Sequence, residues 1–405
     1  MYGAATIFLS IVARALLYAQ TGRGIFDGSL ISLTSYIIDI NHLINVELLL
    51  GTALLVYLLP YSKIRALTIL LLGFCLVIAI RTAHTTVLGS QFVAANIIFC
   101  CIAFLASFWL GKESLIYGKA FPILLVGVFV YYGIKALGDI LFVHHSGGHR
   151  LSIFFGHANH LGNVLSFALI FFFSIMLCAK ESRFRALWWI PILLLVLALI
   201  HTQSRGAWLG FVVGLSVSIL YLRKSVPTKR LCLSVLLLMT MIAAAAISVS
   251  PTRIAKRFAG RSPDVEYSIG NRVLLWRYTT RIIRDHWLIG TGIASLGDEL
   301  RRDKNIRFKN KGAFSSAMNN YLTLAAEAGI PTLAIYLMCV MYACAIASRN
   351  IKESGVIVGV NVGLLCGVYS MFVFGLTTYT LGRVYATVLP WSALGYVMSK
   401  AKERE

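Results

Sequence analysis

Residues 159–223 read NHLGNVLSFALIFFFSIMLCAKESRFRALWWIPILLLVLALIHTQSRGAWLGFVVGLSVSILYLR. Three apolar runs, 159–179, 187–201 and 207–223, follow one another here with only short polar breaks. Each is long enough, or nearly so, to cross about 30 Å of hydrocarbon as a helix. The first break carries Lys180, Arg183 and Arg185; the second is His201-Thr202-Gln203-Ser204-Arg205. A basic turn on one side and an uncharged turn ending in one arginine on the other is the pattern of a chain threading a membrane.

The same pattern extends outward. Further apolar runs fall at 3–19, 44–60, 65–81, 92–110, 119–143, 231–249, 331–348, 355–376 and 383–399, giving twelve expected transmembrane helices. The first is the weakest, since it contains Arg14, and residues 26–41 form a further candidate there as an interfacial helix. The N-terminal stretch lacks a basic leader and a cleavage site and reads as a retained span rather than a signal peptide. Composition agrees: of 405 residues, 58% are hydrophobic and 13% charged, against about 45–50% and about 25% in ordinary soluble domains. Soluble enzymes, disordered regulators and disulfide scaffolds are excluded. The expectation is an all-α integral membrane protein in three parts: residues 1–249 with nine spans, residues 250–330 as one long loop, and residues 331–405 with three spans and a tail.

Sidedness follows from the short loops. Lys63 and Arg65, Lys112 and Lys119, Lys180 to Arg185, the stretch Arg223 to Arg230, Arg349 and Lys352, and the tail KAKERE are all basic and alternate with loops that are not. These belong on the cytoplasmic side, which puts both termini there. The long loop then faces outward. It is basic as well, with fourteen Lys and Arg between residues 253 and 311 against six acids, part of a chain whose net charge is +21. Long loops translocate regardless of charge. The excess reads either as attraction to anionic headgroups or as a funnel for an anionic substrate. No nucleic-acid-binding module is present to claim it. Within this loop, residues 271–293 carry apolar residues at near-helical spacing, predicting a helix on the membrane surface that ends at Gly290.

The eight cysteines lie in apolar runs without a CxxC pair and read as small core residues. Chemistry points elsewhere. Arg205, with His201, Gln203 and Gly206, lies at the outward junction of two spans, where an arginine marks either a pathway or a side chain reaching for headgroups. Arg272 is expected at the start of the surface helix, where unpaired backbone N–H groups attract anions; its plainer reading is a solvated charge. Residues 317–331, AMNNYLTLAAEAGIP, form a half-polar helix with Asn319, Asn320 and Glu327, broken from the next span by Pro331; it reads as cavity lining or as simple capping. His144, His145, His149, His157 and His160 crowd one outward loop without a carboxylate, so a metal is not expected, and Asn159 reads as a polar cavity residue. Lys135 and Asp139 can neutralise each other on one helix face, and Arg383 is an anchor or a further phosphate contact. No outward acid pair suits glycoside hydrolysis, and there is no P-loop or acidic metal cluster.

Taken in order, FFGHANHLGN (154–163), HTQSRGAWLG (201–210), GNRVLLWRY (270–278) followed by RDHWLIGTGI (284–293), and NNYLTLAAEAGIPTL (319–333) resemble the segments of the O-antigen ligase and polymerase superfamily, multispanning glycosyltransferases that act on undecaprenyl-diphosphate-linked glycans. The resemblance spans about residues 150–390. It implies that Arg205 and Arg272 are the two essential arginines on the donor diphosphate; around them Asn159, Gln203, Asn319, Asn320, Arg277 and Arg383 are the expected substrate-binding residues, and neither a cofactor nor a metal is expected. It also implies a bacterial inner-membrane enzyme whose site faces the periplasm and whose acceptor is lipid A–core, or another lipid-linked glycan if the protein is a polymerase. A transporter of lipid-linked glycans is the reading from another class. The chain departs from the family at one point: where a histidine precedes the asparagine of the half-helix, it has Met318. A thioether cannot accept a proton, so either another group takes the base's place, with His286, His201 and His160 as candidates, or deprotonation matters little in a dissociative transition state, or the protein is weakly active or inactive.

Overall fold

The computed structural model describes residues 65–83, 90–113, 115–142, 150–152, 157–248, 263–302, 315–349, 351 and 355–400. Among these, every regular element is a helix. In chain order they are α1 (Arg65–Ala83), α2 (Ser90–Glu113), α3 (Leu115–Phe142), α4 (Ala158–Cys178), α5 (Ser182–Thr202), α6 (Arg205–Leu222), α7 (Thr228–Ser248), α8 (Pro263–Asp285), α9 (Leu296–Arg302), α10 (Asn320–Ala328), α11 (Ile330–Arg349), α12 (Val356–Phe374) and α13 (Val384–Ser399). Seven of the described helices are long and apolar enough to cross a membrane: α3 through α7, α11 and α12. The apolar parts of α1 and α2, Ala66–Thr82 and Asn96–Lys112, are shorter. Of the twelve expected spans, those at 3–19 and 44–60, and the interfacial helix at 26–41, lie outside the described residues.

The bundle is built around α4. Its window is wholly buried, whereas the windows in α3, α7 and α11 keep most of their residues on the outside, and Ile123, Leu233 and Met341 are more than half exposed there. An apolar exterior is unfavourable in water but neutral in lipid, where helix association depends on close packing and small residues instead. Glycines supply that closeness. On α6, a Cβ on Gly210 would meet the Ser370 carbonyl oxygen at 2.6 Å and one on Gly214 the Cys366 oxygen at 2.7 Å. On α12, Gly359 and Gly363 stand equally close to the backbone of Ser174 and Phe171 in α4. Some of the polar groups caught between these helices are satisfied there. Ser166 donates to the carbonyls of Gly162 and Ala207, and the Ser174 and Ser218 hydroxyls bond at 2.8 Å. On the other flank, Phe129 of α3 packs its ring against Phe167, Phe171 and Phe172 of α4.

The long loop has a small core of its own. Leu275 of α8, Leu296 and Leu300 of α9, Ala317 just before α10 and Ala326 within it are buried together, with Met318 and Leu322 packed against them. The helix expected over 271–293 is displaced: α8 begins at Pro263 and ends at Asp285, and the chain then turns through Gly290 at φ +72.

Candidate functional site

The junction of α5 and α6 is a tight reversal made by three residues. Thr202 closes α5, donating its hydroxyl to the Leu199 carbonyl at 2.7 Å and accepting from the Ser204 amide at 3.3 Å. Gln203 takes the left-handed conformation, φ 50 and ψ 34, and its amide still bonds to Ile200. Ser204 caps α6, its hydroxyl accepting from the Ala207 amide at 3.4 Å. Arg205 is therefore the first residue of α6. Beneath it, Gly162 of α4 leaves room for the reversal, since a Cβ there would meet Ala207, Ser204 and Thr202 within 3.1 Å.

Arg272 reaches the same place from the long loop. The expectation that it opens a helix is corrected by the structure: it lies more than two turns into α8, where backbone N–H groups are already paired. The helix N-terminus at this site belongs to Arg205 instead. Arg272 is half-buried, and its guanidinium is held below its ordinary pKa, first by burial and then by the charge of Arg205. The two cations thus lie within electrostatic reach of each other, an arrangement that favours an anion between them. Trp276, one turn on, donates its indole N–H to the Ala317 carbonyl at 2.9 Å and ties α8 to the segment before α10.

The opening of α4 completes the basic region. His157 is the N-cap, its Nδ1 accepting from the Asn159 amide at 3.2 Å. Its pKa is lowered by burial and then by Arg150, Arg383 and Arg272 in turn. Three arginines from three separate segments therefore act on the start of α4, and one of them, Arg272, also feels Arg205. Arg383 is the exposed N-cap residue of α13. Arg150 donates from Nη2 to the Asn159 side-chain oxygen at 2.6 Å and from Nε to the Thr202 carbonyl at 2.9 Å. No feature of the sequence singled out Arg150. Its partner Thr202 lies 52 residues away and Asn159 nine residues away, so no local pattern linked them.

The half-helix is engaged within the protein. Asn319 caps α10, accepting from the Tyr321 and Leu322 amides at 2.9 and 3.1 Å, and donates to the Leu376 carbonyl. Asn320 accepts from the Thr380 amide at 2.6 Å and the Leu381 amide at 3.3 Å, and donates to the Thr380 hydroxyl. Both amides hold the loop between α12 and α13 against α10, which makes them positioning groups in this geometry. Glu327 is buried at the other end of α10, and desolvation raises its pKa to about 8 against the pull of the Ala294 and Leu296 amides. Its backbone and that of Ala326 accept from Gly292 at 2.8 Å and Thr291 at 2.9 Å. Arg81 of α1 donates to the Gly290 carbonyl at 2.9 Å. The Tyr379 phenol is raised by burial and then by Glu327, while Arg383 pulls it down; the half-helix and the basic region are thus neighbours.

The remaining candidates separate. Met318 adopts φ 51 and packs, half-buried, against the core of the loop. His286 is exposed just beyond the end of α8, as is Arg277 along it. His201 bonds through Nδ1 to the Leu197 carbonyl within α5 at 2.8 Å, and Gln203 is buried in the reversal. His160 is buried in the first turn of α4, its ring 5.7 Å from that of His157. Lys135 and Asp139 form their expected pair at 3.1 Å on α3. His144, His145 and His149 lie outside the described residues. Among those described, no three His, Cys, Asp or Glu side chains converge as a metal site would need.

Residues 190–337 match the family model described as O-antigen ligase. The resemblance to the O-antigen ligase superfamily read in the sequence is therefore borne out over this stretch, which holds Arg205, Arg272 and the half-helix. No curated protein matches the chain.

Proposed function

We propose that the protein is an O-antigen ligase, a metal-independent glycosyltransferase of the bacterial inner membrane that moves a glycan from undecaprenyl diphosphate to lipid A–core on the periplasmic side. The observation that carries this reading is the electrostatic influence of Arg205 on Arg272, one from a helix N-terminus between spans and one from the long loop. The alternation of basic and non-basic short loops supports the outward orientation of that loop and cytoplasmic termini.

The donor's lipid stays in the bilayer while its diphosphate lies between the two guanidinium groups. Each presents a planar fork suited to phosphate oxygens. An acceptor hydroxyl oxygen bonds to the anomeric carbon as the bond from that carbon to the diphosphate breaks, with inversion. The bonding electrons pass to the diphosphate, whose growing charge the arginines stabilise in place, and the departing diphosphate takes the hydroxyl proton. Donors fixed in advance around developing charge account for more of the rate enhancement in many enzymes than any other single effect. Asn159 and Arg383 border the substrate, Gln203 shapes the reversal that presents Arg205, and Asn319 and Asn320 hold the half-helix that closes the site.

A polymerase using the same donor is the second reading, favoured by Met318 in the position of the family's histidine. Purified protein in nanodiscs, given lipid-linked glycan with lipid A–core in one arm and lipid-linked glycan alone in the other, separates these. Glycosylated lipid A–core with free undecaprenyl diphosphate supports the ligase, and lengthened lipid-linked glycan the polymerase. Movement of donor across the bilayer without diphosphate release defeats both in favour of a transporter.

A further inference from the structure

Arg205 sits on a three-residue reversal, and a reversal that short has few internal bonds with which to fix its direction. Hydrogen bonds come to it from outside the hairpin, from the segment before α4. The Leu151 amide donates to the His201 carbonyl at 3.1 Å, and Arg150 donates to the next carbonyl, Thr202, at 2.9 Å. The same guanidinium holds the Asn159 side-chain oxygen at 2.6 Å, and Asn159 is fixed in turn through its amide to the His157 cap. Thr202 Oγ1 accepts from Ser204, the cap of the helix that begins with Arg205.

We infer that Arg150 is a positioning residue for glycan transfer: it straps the start of α4 to the α5–α6 reversal and so aims Arg205 at the donor diphosphate. The inference rests on the function proposed above. A lysine cannot replace it. Its single ammonium lacks the fixed fork that lets Nε and Nη2 serve two acceptors on different helices. Burial first, and then Arg150, lower the basicity of His157, the cap whose Nδ1 accepts from the Asn159 amide.

Two measurements on the full chain in nanodiscs test this. The first needs no activity: hydrogen exchange of the amides at 201–207 in wild type, Arg150→Gln and Asn159→Ala. Exchange there should quicken about tenfold in both variants while residues 320–328 stay as in wild type. Unchanged exchange at 201–207, or equal quickening in both segments, overturns the strap. The second is single-turnover glycan transfer. Arg150→Gln should lose about 10²-fold, the penalty of misplacing a reacting group by about an ångström, and Arg150→Lys should stay within about threefold of it. In the Arg150→Gln background, Arg205→Ala should cost much less than it does alone. Full recovery by lysine, or an undiminished cost of Arg205→Ala, refutes the inference. Absence of transfer in wild type defeats the proposed function instead, and the exchange result then still decides the strap.

Discussion

Glu327 is 3% exposed, at the C-terminal end of α10, and desolvation holds its pKa at about 8. The unfolded carboxyl titrates near 4.5. The native state therefore keeps a proton that the opened state releases over the window from about pH 4.5 to about pH 8. Stability is fully present below that window and falls as pH rises through it, by about 1.4 kcal/mol per pH unit. Over some three and a half units the total approaches about 5 kcal/mol, an upper bound because water admitted on local opening lowers the cost. Thr291 and Gly292 report on this directly, since their amides bond to Ala326 and Glu327. Their hydrogen-exchange protection, corrected for intrinsic rates, should fall about tenfold per pH unit in wild type. Glu327→Gln is nearly isosteric, keeps an oxygen for the Leu296 amide, and cannot ionise. In that variant the protection should be flat across the window and exceed wild type at pH 8. Parallel pH profiles in the two proteins would show that a neutral, buried carboxyl does not hold the turn.

Three further outcomes follow from the same geometry. Asn320→Ala leaves the Thr380 and Leu381 amides without their acceptor and should cost about 3 kcal/mol, read as a lowered thermal midpoint by intrinsic fluorescence; a midpoint equal to wild type contradicts the locking role. Gly290→Ala places a Cβ at 2.5 Å from the Glu327 backbone at a φ of +72, so the turn must leave α10. Protection at 291–292 should be lost and transfer should drop more than tenfold. Met318→His restores an ionisable side chain at a φ of 51 that histidine tolerates better than most residues. Turnover should rise about tenfold or more, toward the usual range for general acid–base help, and an unchanged rate would show that no base is used at this position.

The membrane-spanning core could be read from the sequence because its apolar runs are long and its basic loops alternate, features that depend on neighbours in the chain. Arg205 could be read for the same reason, as a lone charge between two such runs. The start of α8 was missed although Ser262-Pro263-Asp264 carries a helix-start pattern. The apolar periodicity begins only after residue 271, and that later signal set the expected boundary. Asn319 and Asn320 stood out as polar residues in an apolar stretch. Whether they face a substrate or the protein depended on residues 376–381, which no local pattern connects to them. Arg150 was hidden on the same ground.

If Arg205 and Arg272 jointly hold the diphosphate as it leaves, their losses must be coupled. Single-turnover transfer from lipid-linked glycan, measured for wild type, Arg205→Ala, Arg272→Ala and the double variant in nanodiscs, reads that coupling. Each single loss should be about 10²-fold or more, and the double loss should fall short of their product because both side chains act on one group. Transfer at the wild-type rate in either single variant, with the fold intact, would contradict a shared grip on the leaving group.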